Sequence, residues 1–326
     1  MKRNFSAGML MNGGLRLQVF TTDELEAIHQ ATLEVLQHTG VAVHSAEARE
    51  RFAGAGAKID KNLVVRIPPY VVEEAIRSAP EKLVLAGRTP DRDVAVEGRR
   101  VYFTNFGEGI KVYDLETGKL RSTTKRDLEL AARVVDYLDP IDIMEKAMGS
   151  QDKPEKVSAL HNFEAMLTNT TKHIFGGPEN GAMTEYIVRM ASAVAGGPEF
   201  LPERSQVSFI TCPVSPLRLV EESCEIIMTA ARHGLVVNVL SMAMSGASAP
   251  INLAGTIVTH NAEVLAGLTL AQLTRKGAPV IYGSSTTAMN MRTATATVGS
   301  PELALVGAAV AALSRYYLLP SWVAGG

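Results

Sequence analysis

The sequence predicts an α/β protein of the (β/α)8 TIM-barrel class, incomplete, with about seven of the eight strands present. From about residue 99, short apolar strands alternate with longer helical segments, which is typical of a parallel sheet with helical crossovers. The strand segments are nearly continuous apolar runs, as expected when both faces of a parallel sheet are covered. The last segment, SWVAGG at 321–326, has the character of a seventh strand. An open doubly wound sheet is the alternative fold.

Residues 1–98 mix element types and predict an N-terminal α+β cap region. Thr21 and Glu24 form a capping box that starts an amphipathic helix ending at Gly40. A strand at 63–67, a helix at 68–79 with proline in its first turn, and a strand at 83–87 follow. We therefore predict two regions, the cap at 1–98 and the barrel domain at 99–326.

The barrel region is predicted as a regular series of strands and helices, with a hairpin at 111–124. The predicted strands are 101–105, 141–149, 173–177, 206–213, 235–242, 279–285 and 321–326. The predicted helices are 125–138, 155–170, 181–196, 218–233, 251–277 and 301–317. An eighth strand with its flanking helices completes a barrel of this class. We therefore expect the sequence to be a truncated barrel with two unpaired strand edges.

Composition excludes several classes of partner. The 32 basic and 34 acidic residues give a net charge of −2, which provides no basic field for nucleic acid or an anionic membrane. Two cysteines make neither a disulfide framework nor a zinc site, and favour a reducing cytoplasmic location. No signal peptide is recognised, and the longest apolar run, 303–313, is shorter than the roughly 20 residues that span a membrane.

Spacing alone indicates few chemical groups. There is no P-loop, nucleophile elbow or paired-carboxylate signature. His260 and Glu263 lie three residues apart on a helix and have the spacing of two metal ligands, but a buried or capping pair is favoured because no third ligand is evident. We predict no metal site.

The predicted carboxyl ends of the strands are small and polar with few charges, and in a barrel this is where catalytic residues lie. Such a surface suits a small, weakly polar or cationic substrate, lined by aromatic rings such as Phe103, although core packing is the alternative for each ring. Glu108 is the first candidate carboxylate because it follows a strand end in a glycine-flanked loop; a turn role is the alternative. The candidate substrate-binding residues are Asn105, Phe106, Tyr282, Ser284, Ser285, Trp322 and Gly326.

Three stretches carry a resemblance to a known family. They are YFTNFGEGIKVYDLETGKLRSTTKRDL (102–128), VIYGSSTTAMNMRTATATVGSPELAL (280–305) and LLPSWVAGG (318–326). They resemble the trimethylamine methyltransferases, barrel enzymes that transfer a methyl group from a methylated amine to the cobalt of a separate corrinoid protein. The likeness extends through most of the chain. It implies no tightly bound cofactor, since the corrinoid (cobalamin) is carried by the partner protein.

The resemblance also implies a catalytic residue outside the sequence. In the trimethylamine enzymes an in-frame amber codon encodes pyrrolysine directly after a stretch similar to SWVAGG, so we expect pyrrolysine at position 327. The mechanism proposed for the family has the tertiary amine add to the electrophilic imine carbon of pyrrolysine, become quaternary, and present one methyl to Co(I). A carboxylate that protonates the imine nitrogen promotes that addition. Glu108 is a hypothesis for this role and is not matched to a known family position.

Two alternatives remain open from the sequence. A homologue without pyrrolysine would act on glycine betaine or another quaternary amine, whose nitrogen is already activated. A non-catalytic binding or assembly subunit of 326 residues is the alternative from a different class. The family resemblance further implies a homo-oligomer.

Overall fold

A computed structural model describes residues 18–325. The α-helices in this range, in chain order, are α1 (Thr22–Glu34), α2 (Ala46–Gly54), α3 (Pro69–Ser78), α4 (Lys125–Tyr137), α5 (Ser158–Asn169), α6 (Gly181–Ala195), α7 (Leu201–Arg204), α8 (Glu221–His233), α9 (Leu253–Thr274) and α10 (Pro301–Tyr316). The strands are β1 (Val41–Val43), β2 (Lys58–Ile59), β3 (Val64–Arg66), β4 (Leu83–Leu85), β5 (Val94–Val96), β6 (Lys111–Tyr113), β7 (Leu120–Ser122), β8 (Ile143–Glu145), β9 (His173–Gly176), β10 (Val207–Thr211), β11 (Arg218–Leu219), β12 (Val237–Ser241), β13 (Met244–Ser245), β14 (Val280–Ser284), β15 (Thr287–Asn290), β16 (Thr295–Ala296) and β17 (Ser321–Val323).

The described chain divides into two compact units, Leu83–Ile210 and residues 18–82 together with 211–325. This grouping places 83–98 with the first predicted barrel strands, whereas the sequence suggested a boundary after residue 98. The division into cap and barrel therefore remains a prediction about sequence regions. None of the helices within residues 18–325 has the length and apolar character needed to cross a membrane.

The unit Leu83–Ile210 is built on three parallel strands, with β9 between β8 and β10. Helix α4 begins with a capping box, in which Thr124 and Asp127 satisfy each other's backbone N–H groups, and packs against α5. Phe163 of α5 lies under the sheet, close enough to Gly176 that a Cβ there would sit 3.0 Å from its ring. This contact shows that α5 covers the face of β9 on which Phe163 approaches Gly176, so the opposite face of β9 is turned away from α5.

In the second unit, β14 lies between β12 and β17, and all three strands are parallel. Helix α9 is buried over most of its length because α1, α3 and α8 all pack against it. A helix enclosed in this way has no polar face to solvent, which explains its apolar composition. The N-terminal elements thus contribute to the same core as β12 and β14.

Six of the seven predicted barrel strands are regular strands within residues 18–325, and the first, at 101–105, is reduced to a single parallel bridge between Thr104 and Ile143. The reason lies in the Asn105 side chain, which takes over the pairing of Glu145. Its Oδ1 accepts the Glu145 N–H at 3.0 Å, and its Nδ2 donates to the Glu145 carbonyl at 2.9 Å. The strands and helices follow one another in the order predicted for the β/α barrel. At the first strand position, the Asn105 side chain replaces the backbone pairing of a regular strand.

Replacing Asn105 with alanine is expected to lower the free energy of unfolding by about 2 kcal/mol, because two backbone groups of Glu145 lose their partners. Urea denaturation measures the change. Asn62→Ala is the matched control, since Asn62 lies in an exposed turn and is held through its backbone N–H. Equal stability of the two variants would contradict the pairing role of the Asn105 amide.

Candidate functional site

Glu145 ends strand β8 with its carboxyl group enclosed by the segment 104–107. Its Oε2 lies 2.9 Å from the hydroxyl of Thr104. A Cβ on Gly107 would lie 2.6 Å from Oε1, so only glycine leaves this oxygen its position. Burial raises the pKa of Glu145 to about 7, with a further increase from the charge of Glu108. Glu145 is therefore a carboxyl group that exchanges a proton near neutral pH.

An ion pair lies beside Glu145, and its two charges also act on a further carboxyl group, that of Glu179. Lys146 Nζ is 3.0 Å from Glu108 Oε1, and the lysine side chain is 12% exposed while that of Glu108 is 65% exposed. The side chain of Glu179, in the loop after β9, is exposed, but the surrounding chain desolvates its carboxyl group enough to raise its pKa. The charges of Lys146 and Glu108 act on the carboxyl groups of both Glu145 and Glu179. These residues follow the ends of three successive strand positions, as expected for a barrel site.

The residues predicted to bind substrate in this unit differ in accessibility. Phe106 is among the most exposed side chains of the unit, and Phe103 is exposed to a lesser degree. Asn105 is committed to the backbone of Glu145 and to the carbonyl of Phe106. The structure therefore brings Asn105, Glu108 and Glu145 into one neighbourhood, where Glu145 rather than Glu108 is the enclosed carboxyl group.

In the second unit, the predicted residues of β14 and β17 divide between core and surface. Tyr282 is fully buried, and its hydroxyl donates to Asn261 Oδ1 of α9 at 2.6 Å, which matches the core-packing alternative for this ring. Ser284 is buried and accepts from the Thr286 N–H, while Ser285 is partly exposed. Trp322 pairs with Gly283 along the strand and is partly exposed. Gly326 lies outside the described residues.

His260 and Glu263 are both fully buried, in agreement with the favoured interpretation of a buried pair. Glu263 accepts from Ser241 at 2.6 Å, from Ser215 at 2.8 Å and from the Leu217 N–H at 3.0 Å, and burial raises its pKa. His260 Nδ1 lies 3.1 Å from the Thr286 hydroxyl, and burial lowers its pKa to about 3. No group of three metal-ligating side chains occurs among residues 18–325.

Sequence reasoning missed Glu145 and Thr104. Glu145 stands in the segment IDIMEKAMG, where a charged residue interrupts an apolar strand, and that interruption was the available signal. A buried side chain in such a segment is charged only if it is paired, and otherwise it is neutral or functional. Thr104 gives no signal in the sequence, because only the fold places its hydroxyl beside a carboxyl group.

A strand-end carboxyl group with a raised pKa, on a β/α barrel fold, indicates a candidate site with acid–base capacity. Residues 2–326 match the trimethylamine methyltransferase (MTTB) family. The chain belongs to this family.

Similar proteins with assigned names agree with this membership. The trimethylamine methyltransferase of Desulfitobacterium hafniense is 50% identical over 321 residues, covering 98% of this chain and 65% of that protein. That of Methanosarcina barkeri is 43% identical over 330 residues, covering 99% and 67%. A glycine betaine methyltransferase of D. hafniense is 31% identical over 312 residues, covering 95% and 65%. The chain thus spans about two thirds of the length of these relatives.

Solved structures support the fold. The monomethylamine methyltransferase of M. barkeri matches with a TM-score of 0.57 and 12% identity, over 93% of this chain and 62% of that one. A hydroxylamine complex of MtmB matches with a TM-score of 0.59 and 13% identity, over 94% and 63%. At such identity the likeness concerns the fold alone, and it confirms the predicted fold class.

Proposed function

We propose that the whole protein transfers a methyl group from trimethylamine to the Co(I) of a separate corrinoid protein. The observation that carries this proposal is the difference in identity, 50% and 43% to two trimethylamine methyltransferases against 31% to a glycine betaine methyltransferase. The coarser statement, a methyltransferase for a methylated amine, applies to both groups of relatives.

Leaving-group chemistry sets the requirement for a reactive residue. A neutral tertiary amine does not release a methyl group, because the departing amide anion is too basic. Nitrogen must first gain a fourth bond and a positive charge, and covalent addition to an electrophile in the enzyme provides both. We infer that this electrophile is the imine of a pyrrolysine following Gly326, as the family resemblance implies.

Residues of the described chain provide charged and proton-donating groups that suit the addition of an amine to an imine. The carboxyl groups of Glu145 and Glu179 and the Lys146–Glu108 pair give one neighbourhood both negative charge and a titratable proton. Exposed Phe103 and Phe106 supply apolar surface nearby in the sequence. A small amine that alternates between cationic and neutral forms suits such surroundings.

A methyltransferase for glycine betaine is the second candidate, favoured by the 31% identical relative. A quaternary amine already carries the fourth bond on nitrogen, so it needs no covalent activation. The two candidates therefore differ in the identity of residue 327 as well as in substrate.

Trimethylamine is expected to be the preferred methyl donor. The gene is read past codon 326, and the complete protein is assayed with a reduced corrinoid protein from the same organism, following methyl-cobalt formation by absorbance. We expect an amber codon at position 327 and turnover with trimethylamine. A sense codon at 327 together with turnover of glycine betaine alone would overturn the proposal in favour of the second candidate. No methyl transfer from either amine would overturn both.

A further inference from the structure

The hydrogen bonds of Thr104 determine where a proton lies. Its hydroxyl oxygen is 2.6 Å from the Asn105 carbonyl oxygen and 2.9 Å from Glu145 Oε2. A hydroxyl group has one hydrogen to donate, and a carbonyl oxygen only accepts. With the Thr104 hydrogen in the shorter contact, the contact with Glu145 is a hydrogen bond only when the carboxyl group is protonated and donates to Thr104. With the hydrogen turned to Glu145 Oε2, Thr104 instead donates to the carboxylate and lowers its pKa.

The electrostatic surroundings agree with a neutral Glu145. Burial is the largest cause of its raised pKa, and the negative charge of Glu108 adds to the increase. The Thr104 hydrogen bond and the charge of Lys146 act in the opposite direction, and the Lys146 ammonium group lies 3.0 Å from the Glu108 carboxylate, which offsets its charge.

The surrounding chain holds the carboxyl group in one place. The backbone N–H and carbonyl groups of Glu145 are both hydrogen-bonded to the Asn105 side-chain amide, which holds the backbone from which the Glu145 side chain extends. Gly107 lets Oε1 approach the backbone to a distance that a Cβ would prevent. Since Thr104 contacts Oε2, Oε1 is the oxygen left without a hydrogen-bond partner in the described part of the chain. A carboxylic acid that is held in position and has one oxygen without a hydrogen-bond partner is suited to proton transfer.

We propose that Glu145 rests as a neutral carboxylic acid and is the proton donor of the reaction site, with Thr104 as its positioning residue. The role rests on the proposed function, and replaces Glu108 in the acid role considered from the sequence. In the transfer, the O–H bond of Glu145 breaks, its electron pair remains on the carboxylate, and an N–H bond forms on a basic nitrogen of the amine–enzyme complex. The Thr104 hydroxyl then rotates from Asn105 to donate to the new carboxylate.

The first test measures the proton without requiring activity. Infrared difference spectra of the complete protein, titrated across neutral pH, are compared for wild type, Glu145→Gln and the control Glu116→Gln, an exposed residue of the hairpin turn. We expect a carboxylic-acid band that disappears as pH rises through about 7 in the wild type and Glu116→Gln, and that Glu145→Gln lacks. An identical band in all three proteins would overturn the neutral-acid assignment.

Thr104 variants test the positioning role. Thr104→Val keeps the shape but removes the hydroxyl that stabilises the carboxylate, so the infrared transition is expected at higher pH. Thr104→Ser keeps the hydroxyl and is expected to restore the wild-type transition. A purely structural role would leave the transition unchanged in both variants, and that result would contradict the hydroxyl rotation.

Methyl transfer then tests the catalytic part. Glu145→Gln is expected to lower the rate by about 10²- to 10⁴-fold and to abolish the decline with rising pH, which is the usual contribution of an acid–base group. Glu108→Gln is expected to keep a pH-dependent rate. A full rate and unchanged profile in Glu145→Gln would exclude the donor role. Inactive wild type with an intact infrared band would instead contradict the proposed function, so the two failures are distinguishable.

Discussion

Replacing Gly283 with alanine is expected to destabilise the protein by about 3 kcal/mol, the upper part of the usual range for overpacking a core. Gly283 lies in β14 beside β12, and an added Cβ would overlap Asn238 Oδ1. It would also lie 2.8 Å from Asn238 Cγ and 3.0 Å from the Cα of Leu240. Leu240 pairs with Gly283 in the parallel ladder, so its backbone cannot withdraw without breaking strand hydrogen bonds.

The Asn238 side chain makes this prediction unusually specific. It is fully buried, and neither its Oδ1 nor its Nδ2 has a hydrogen-bond partner within residues 18–325. A buried amide without partners contributes little stability, because its lost hydration is not replaced. Asn238→Ala alone is therefore expected to change the free energy of unfolding much less than Gly283→Ala does.

A double-mutant cycle separates the steric conflict from other effects. Asn238→Ala with Gly283→Ala removes the overlapping atoms, so we expect at least half of the loss in Gly283→Ala to be recovered. Contacting residues usually couple by about 0.5–3 kcal/mol, and this pair should lie near the upper end. Urea denaturation measures the free energy of unfolding of the wild type, the two single variants and the double variant. The comparison requires that the dependence of this free energy on urea concentration be the same in all four proteins. Gly307→Ala is the control, because a Cβ there meets no atom within 4 Å. Additive losses in the double variant would show that Asn238 is not the obstacle.

The apolar strand runs predicted the barrel elements because a parallel strand covered on both faces has no alternative partner for its side chains. The same continuity hides the direction of each side chain. Tyr282 was a candidate for the substrate surface, yet it faces α9 and donates to Asn261. With no alternation between polar and apolar residues along VIYGS, the sequence could not indicate which residues face the helices.

The first predicted strand is reduced to one bridge, and the candidate acid was missed, for related reasons. Asn105 replaces backbone pairing with its side chain, which no strand pattern expresses. Glu108 stood out because glycines flank it, a local property of the sequence. Glu145 stands out only through burial and through the Thr104 hydroxyl, and both depend on residues about 40 positions apart being brought together.

Glu263 is expected to be the most stability-sensitive ionisable residue of the second unit. Three buried or partly buried donors, the hydroxyls of Ser241 and Ser215 and the N–H of Leu217, converge on its carboxyl group. Leu217 has a φ of 54°, in the left-handed region that is unfavourable for leucine. The hydrogen bond from its N–H to Glu263 helps to hold this conformation.

Glu263→Ala is expected to lower the free energy of unfolding by about 4 kcal/mol, since it leaves three donors without an acceptor and opens a cavity beside β12. Glu263→Gln keeps the shape and one acceptor oxygen, so a smaller loss is expected at neutral pH. Thermal and urea unfolding measure both changes, with Glu116→Gln as the exposed control. Equal stability of Glu263→Ala and the control would mean that the donors find other partners.

The pH dependence of this loss follows from the raised pKa of Glu263. The folded protein keeps the Glu263 proton at pH values where the unfolded chain has lost it, so the folded state binds more protons. Stability then falls as pH rises above the unfolded pKa, until the folded pKa is passed. Because glutamine does not titrate, the difference in stability between wild type and Glu263→Gln should favour wild type most at low pH and shrink as pH rises. A difference that grows with pH would mean that the three donors stabilise the carboxylate more than burial opposes it, which reverses the sign of the shift.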